Sequence, residues 1–328
     1  AELADTGLSG ADLRAATMET IIIATLGELD YQDAIQTTIA LQNAFKMSNS
    51  ELTDTFNYMN AVENATSLSI QDIAEATPRA AAAMASLNVT AKEMTVLLVA
   101  MKERGVDAAE GANALKSATT RILSPVKAAT TYFAQFGINL SKMSDQSGGN
   151  LYEFLQLLAE ATTEMSTLEK QRGIAKLFGT YQYNRINAAL QGVTDAMFDF
   201  GDQTSQTSKA VDLLTKDSEF LAQTAQAELD RSAAMVSTQF KKSLESLKVQ
   251  LAEAGMPFLE IGNEVLKVVL GIVKAFNGLP DGAQKFAIIT SILLAATGPA
   301  IMMLCLTANL IGNFMKMGVS IVGMLTKF

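Results

Sequence analysis

NVTAKEMTVLLVAMKERGVDAAEGANALKSATTRILSPVKAATTYFAQFGINL, residues 88–140, decides the fold class. Met94, Leu97, Leu98 and Met101 fall at i, i+3, i+4 and i+7, which lays one apolar stripe along a helix. Thr90 with Glu93 three residues on makes a capping box at its start, and Gly105 marks its end. Asp107 and Glu110 repeat the start signal for a second helix, on which Leu115, Ala118 and Ile122 share a face. Ser124-Pro125 reads as an N-cap followed by proline at the first helical position. Val126, Ala129, Phe133 and Phe136 then stripe a third helix, which Gly137 stops. Turns this short predict that the three helices fold back on one another, because none buries its stripe alone.

The rest of the chain agrees with an all-α reading. Apolar residues make up 49 % of the 328 positions, aromatics only 6 %, and Trp is absent. Alternating β-branched runs are scarce, so the expected architecture is a multi-helix bundle of hairpins, with one long helix and a C-terminal apolar helical hairpin. The net charge of −9 is uneven: residues 1–60 hold nine acids against two bases, whereas residues 61–150 hold eight of each. No continuous basic stripe of the kind a sequence-specific nucleic-acid binder needs is present. The acidity suits either a surface past which DNA slides or solubility alone. The chain begins without Met and without a signal-peptide layout, so it is expected to be a segment of a longer polypeptide.

Along the chain, Ser9 and Asp12 open a first helix that Gly27 closes, Leu29-Asp30 opens a second, and Ser48 with Glu51 caps a third. Leu29-Asp30-Tyr31 matches Leu87-Asn88-Val89, and Lys46-Met47-Ser48-Asn49 matches Arg104-Gly105-Val106-Asp107, both at an offset of 58. Either a helical hairpin is duplicated within residues 1–140 or the match is chance. Ser69 and Asp72 begin a further helix in which Thr77-Pro78 predicts a kink or a fresh start. Residues 141–150, SKMSDQSGGN, read as a linker, which makes residues 151–200 a second helical unit. Residues 201–209 read as another polar break. Residues 210–254 contain no Gly or Pro, and ten apolar or small steps from Leu214 to Leu251 average 3.7 residues, which predicts one long, nearly straight helix. Residues 257–328 form a hydrophobic region, and residues 286–315 carry no charge over 30 positions, more than the roughly 20 a membrane-spanning helix needs. Gly298-Pro299 splits that run, so two readings stand: a helical hairpin buried on partner chains, or a kinked transmembrane segment.

The residues point to no catalytic site, no cofactor and no metal centre. Histidine is absent, which removes His-mediated catalysis, and the single Cys305 excludes intrachain disulfides and thiolate zinc sites. Carboxylate pairs such as Asp30/Asp33 and Glu160/Glu164 read as solvated helix faces. Gly105 to Gly111 lacks the Lys of a phosphate loop, Gly148-Gly149 reads as a hinge, and Met302, Met303, Met315, Met317 and Met324 read as apolar packing.

The ordered series of helix punctuation resembles the core region of phage tail tape measure proteins. It comprises the first amphipathic helix, Gly105, Asp107-x-x-Glu110-Gly111-x-x-x-Leu115, Ser124-Pro125 and Phe136-Gly137-Ile138. Residues 4–10 upstream agree in order, as do Lys176-Leu177-Phe178-Gly179, residues 255–259, Gly278-Leu279-Pro280 and Thr297-Gly298-Pro299 downstream. The resemblance implies a structural, non-enzymatic role in a siphophage-like virion. The chain would lie in the lumen of the tail tube, set tail length during assembly, and leave ahead of the DNA. Implied partners are tail tube and distal tail or tip proteins, tail assembly chaperones, further copies of the chain joined through stripes such as Leu214 to Leu251, and the host membrane at ejection, where residues 286–315 would help form a channel. A membrane-active, pore-forming helical protein is the competing reading of the same uncharged run.

Overall fold

Residues 10–198 and 205–231 are described by a computed structural model, and every regular element in them is a helix. The all-α class and the bundle of hairpins therefore hold for the described residues. In chain order the helices are α1 (Gly10–Leu26), α2 (Tyr31–Phe45), α3 (Asn49–Ala65), α4 (Ile70–Ala85), α5 (Ala91–Lys102) and α6 (Ala108–Leu123). They continue as α7 (Lys127–Ala134), α8 (Leu140–Gln146), α9 (Leu151–Ala161), α10 (Thr167–Phe178), α11 (Tyr183–Phe198) and α12 (Gln206–Leu214), followed by a helical run at 218–231. These helices belong to one unit, Ala1–Leu229; a second unit begins at Asp230. The hydrophobic region 257–328, its uncharged run 286–315, Cys305 and the five methionines named above lie outside the described residues.

The start signals act as local chemistry demands. Ser48, Ser69 and Thr90 each accept the backbone N–H of the acid three residues on, while that carboxylate returns to the cap's own N–H. Ser166 with Glu169 adds the same box to α10. Gly105 ends α5 in the left-handed region at φ 78°, and the N–H groups of Gly105 and Val106 reach back to the carbonyls of Lys102 and Met101 at 2.9 and 3.0 Å. Asn88, at φ 57°, does the same for α4. Pro78 sits inside α4 without ending it. The Thr77 hydroxyl donates to the Ile73 carbonyl at 2.7 Å and the Arg79 guanidinium to the Glu75 carbonyl at 2.8 Å, on either side of the bond the proline cannot make.

Helix α5 is the axis of the unit. The expected stripe of Met94, Leu97, Leu98 and Met101 is buried, but so are Thr95, Val96, Val99 and Ala100, so α5 is covered all round by α3, α4, α6, α9, α11 and α12. Its one polar interior residue, Thr95, donates to the Ala91 carbonyl at 2.9 Å. Helix α6 packs back on α5 and on α4, whereas α7 turns away and packs mainly on α10. The expectation of three mutually packed helices thus holds for two.

Two parallel triplets emerge. Helices α1, α2 and α3 start at residues 10, 31 and 49, and α4, α5 and α6 at 70, 91 and 108. Their hinges also correspond: Glu28 and Asn88 are left-handed, as are Lys46 and Gly105. The spacing is about sixty residues and not the 58 of the sequence match, because the partner of the cap Asp30 is Thr90, while Asn88 is the residue that closes α4.

Three expected boundaries are corrected. Residues 141–150 are not a linker: Leu140 and Met143 face the core from α8, and Asn139 caps that helix through Lys142 N–H at 3.0 Å. Asn150 is buried, caps α9, and donates its amide to the Asn88 carbonyl at 3.0 Å, which ties residues 151–200 to the α4–α5 turn instead of releasing them as a second unit. The long helix of 210–254 is interrupted where it is described: α12 ends at Leu214, and Asp217 accepts Phe220 N–H at 2.8 Å to start the run at 218. Residues 232–254 lie outside the described residues. Leu221 and Ala225 of that stripe are buried in the unit's own core, so they are spent within the chain and not offered to a copy. The Ser218 hydroxyl donates to Asp54 at 2.9 Å and the Asn64 amide to Glu228 at 2.9 Å, ten residues further along both segments, so the run lies parallel to α3.

Candidate functional site

An open groove lies between α7 and α10. Phe133 anchors α7 by seating its ring on Gly173, where an added Cβ would stand 2.6 Å from the ring's far edge. Tyr132 lies beside it, its hydroxyl donating to the Glu169 carbonyl at 3.1 Å, with Phe136 5.4 Å away between ring centroids. The Lys176 ammonium stands 5.6 Å from the centre of the Tyr132 ring. Lys127, Ala128, Thr131, Tyr132, Gln135 and Lys176 line an open groove of about 440 Å³. The Tyr132 ring, with the Lys176 ammonium over it and Lys127 in the same lining, suits an anionic or mixed anionic–apolar surface of a partner. Lys176 belongs to a segment singled out in the sequence only as part of the resemblance, and its sharing a groove with Lys127 depends on the α7–α10 contact, which no local pattern encodes.

A second polar constellation is structural. The Glu103 carboxylate accepts the N–H groups of Gln206 and Thr207 at 2.9 and 3.2 Å and the Thr207 hydroxyl at 2.8 Å, capping α12 from across the fold. Arg104 pairs with Glu103 and with Asp195 on α11. Burial pushes the Glu103 carboxyl up, but the donors from Gln206 and Thr207 together with Arg104 outweigh it and hold it below its ordinary value. Asp72 is likewise pushed up by burial and held down, on balance, by Lys102 and the Ser69 cap. Glu19 and Glu63 lie above the ordinary value because burial dominates.

The signs oppose, which sets a pH optimum. A raised carboxyl costs stability when ionised, and that cost disappears as pH falls through its folded value; a depressed one contributes stability that is lost as pH falls through its own folded value. The unit should therefore gain stability on mild acidification from neutrality and lose it below the ordinary carboxylate values of 4.5 and 3.8. Glu103→Ala should cost about 2 kcal/mol at neutral pH and flatten the acid limb, measured by urea unfolding across pH. An unchanged acid limb would remove Glu103 from this role.

The residues weighed for chemistry are dispersed to structural tasks. Asp30 caps α2 and Asp33 lies exposed in its first turn; Glu160 and Glu164 are exposed at the end of α9 and beyond it. Gly111 packs against Met101, where an added Cβ would come within 2.9 Å of the sulfur, and lines no phosphate loop. Gly148 and Gly149, both left-handed, close α8. Among the described residues no cluster of acids or thiols is arranged to hold a metal, and no helix is long and apolar enough to cross a membrane.

The described residues thus form a helical unit organised around a buried axial helix, with a groove lined by two lysines and a tyrosine on one side. The phage-related minor tail protein family matches residues 1–179, more than half the chain, and the protein belongs to that family. It is thus a phage tail protein. It is similar to a tape measure protein of Pneumococcus phage Dp-1, 21 % identical over 237 residues, which cover 72 % of this chain but only 19 % of that relative. No solved structure matches the chain.

Proposed function

We propose that this chain is a segment of a tape measure protein, which lies in the lumen of the tail tube, sets tail length during assembly and leaves ahead of the DNA. The observation that carries the proposal is the likeness over 237 residues to the tape measure protein of Pneumococcus phage Dp-1. Helix length grows in proportion to residue number, about 1.5 Å per residue, so a largely helical parent chain serves as a ruler. The described helices α1 to α12 fold back on one another and none of them exceeds 17 residues, about 25 Å, so the unit acts as a folded module on the ruler. Tube and distal tail or tip proteins and tail assembly chaperones are its partners. The uncharged residues 286–315 meet the host membrane on ejection and help to line a channel.

In-frame removal of helical blocks from the extended parts of the parent gene should shorten tails by about 1.5 Å per residue removed, read by electron microscopy of the particles. Tails of unchanged length would end the ruler reading.

A further inference from the structure

The helices pack in a row within the unit: α2 lies on α4, α4 on α6, α6 on α10 and α10 on α7. The two ends of that row are oppositely charged. Residues 10–65, which hold α1 to α3, contain eight acids against two bases. At the start of α2, Glu28, Asp30 and Asp33 are exposed around Tyr31, and none has an ion pair among the described residues. Towards the other end α10 carries Glu169 against Lys170, Arg172 and Lys176, and residues 111–144, which run from α6 through α7 to α8, hold no acid and the four bases Lys116, Arg121, Lys127 and Lys142. These four are exposed and also lack ion pairs among the described residues. The groove between Lys127 and Lys176 opens on this basic end.

We propose that the α7–α10 groove receives the acidic start of α2 from a second copy of this chain, so that copies join head to tail. Tyr31 with Asp30 and Asp33 beside it in sequence offers an aromatic residue among carboxylates, the complement of a groove lined by Tyr132, Lys127 and Lys176. With α4, α6 and α10 between α2 and α7 in the row, one copy does not close this contact on itself. A contact between two different surfaces is heterologous and generates a ring or an open stack, in contrast to a twofold dimer. The inference deepens the structural role proposed above by naming the surface on which copies meet.

The test uses the whole 328-residue chain with a photoreactive benzoylphenylalanine in place of Thr131, an exposed groove residue. Isotopically heavy and light copies are mixed, irradiated at low salt and mapped by mass spectrometry. The expected product joins a heavy to a light copy, with the cross-link at residues 28–33. Lys127→Glu with Lys176→Glu should lower its yield about tenfold, as should Asp30→Lys with Asp33→Lys, and the chain carrying all four changes should recover it. Recovery separates charge pairing from damage to the fold, since a misfolded chain gains nothing from a second pair of changes. Cross-links confined to one copy, including any to residues 232–328, or mapped to another segment of a neighbour, would overturn the proposal, as would their absence. Tail length reads the ruler and the cross-link reads the contact, so each fails independently of the other.

Discussion

Replacing Gly192 by valine should destabilise the unit by about 3 kcal/mol or more, a larger loss than any surface change in the same helix. An added Cβ at Gly192 would stand 2.4 Å from the Ala100 Cβ, 2.8 Å from the Thr207 hydroxyl and 3.0 Å from the Ala100 Cα. The last of these is backbone of the axial helix and has no rotamer by which to yield. Helix α11 therefore rests on α5 with almost nothing between them, and α12 closes over the same spot. Even Gly192→Ala, which by helix propensity alone should gain nearly 1 kcal/mol, is expected to lose stability on balance, because α11 must lift from both neighbours. Gln191→Ala, one residue away and exposed, should stay within about 0.5 kcal/mol of the parent. Urea midpoints followed by far-ultraviolet circular dichroism give the comparison. A Gly192→Val chain with the parent's midpoint would show that α5 and α11 leave room for a side chain between them.

Phe133→Ala should cost about 3–5 kcal/mol, with the loss felt first in α7. Phe133 is fully buried, and its ring fills the place a side chain would occupy at Gly173, so truncation leaves a void that helix backbone cannot collapse into. Helix α7 has few other anchors: of its eight residues only Ala129 and Phe133 are buried, and Val126 offers no side-chain cap. Hydrogen exchange should accordingly show α7 amides losing protection before those of α5. Phe136, three residues on and 37 % exposed, supplies the control; its truncation should cost less than about 1 kcal/mol. Equal effects at the two positions would mean that α7 is not held by the Phe133–Gly173 contact.

Much of the helix inventory was legible because it is written in short-range chemistry. A serine or threonine followed three residues later by an acid closes its hydrogen bonds within one turn, and Ser48, Ser69 and Thr90 do so whatever surrounds them. Long-range choices were not legible. The stripe on α5 hid that Val96, Val99 and Ala100 are equally buried, since apolar residues on the second face of a helix gain a meaning only when α11 and α12 arrive to cover them. Ser124-Pro125 read as the start of α7, yet Ser124 N–H still donates to Thr120 to finish α6, and Val126 takes the cap position. Residues 141–150 looked like a linker because two core contacts, Leu140 and Met143, suffice for a seven-residue helix among polar neighbours. The groove was invisible for a related reason: Lys127 and Lys176 are 49 residues apart and come to line one groove through the packing of α7 on α10, with Phe133 seated on Gly173.

The hydrogen bond from the buried Tyr58 hydroxyl to the Ala210 carbonyl, at 2.9 Å, spans 152 residues of chain. Together with the Glu103 cap on α12, it means that helices emerging late from the ribosome shut the interior built by those that emerged early. A nascent chain that has extended only to residue 179, where the match to the family model ends, has yet to make α11 and α12 and still shows water one whole flank of its axial helix. Closure of the interior therefore waits for α11 and α12, which follow the residues that the family model matches.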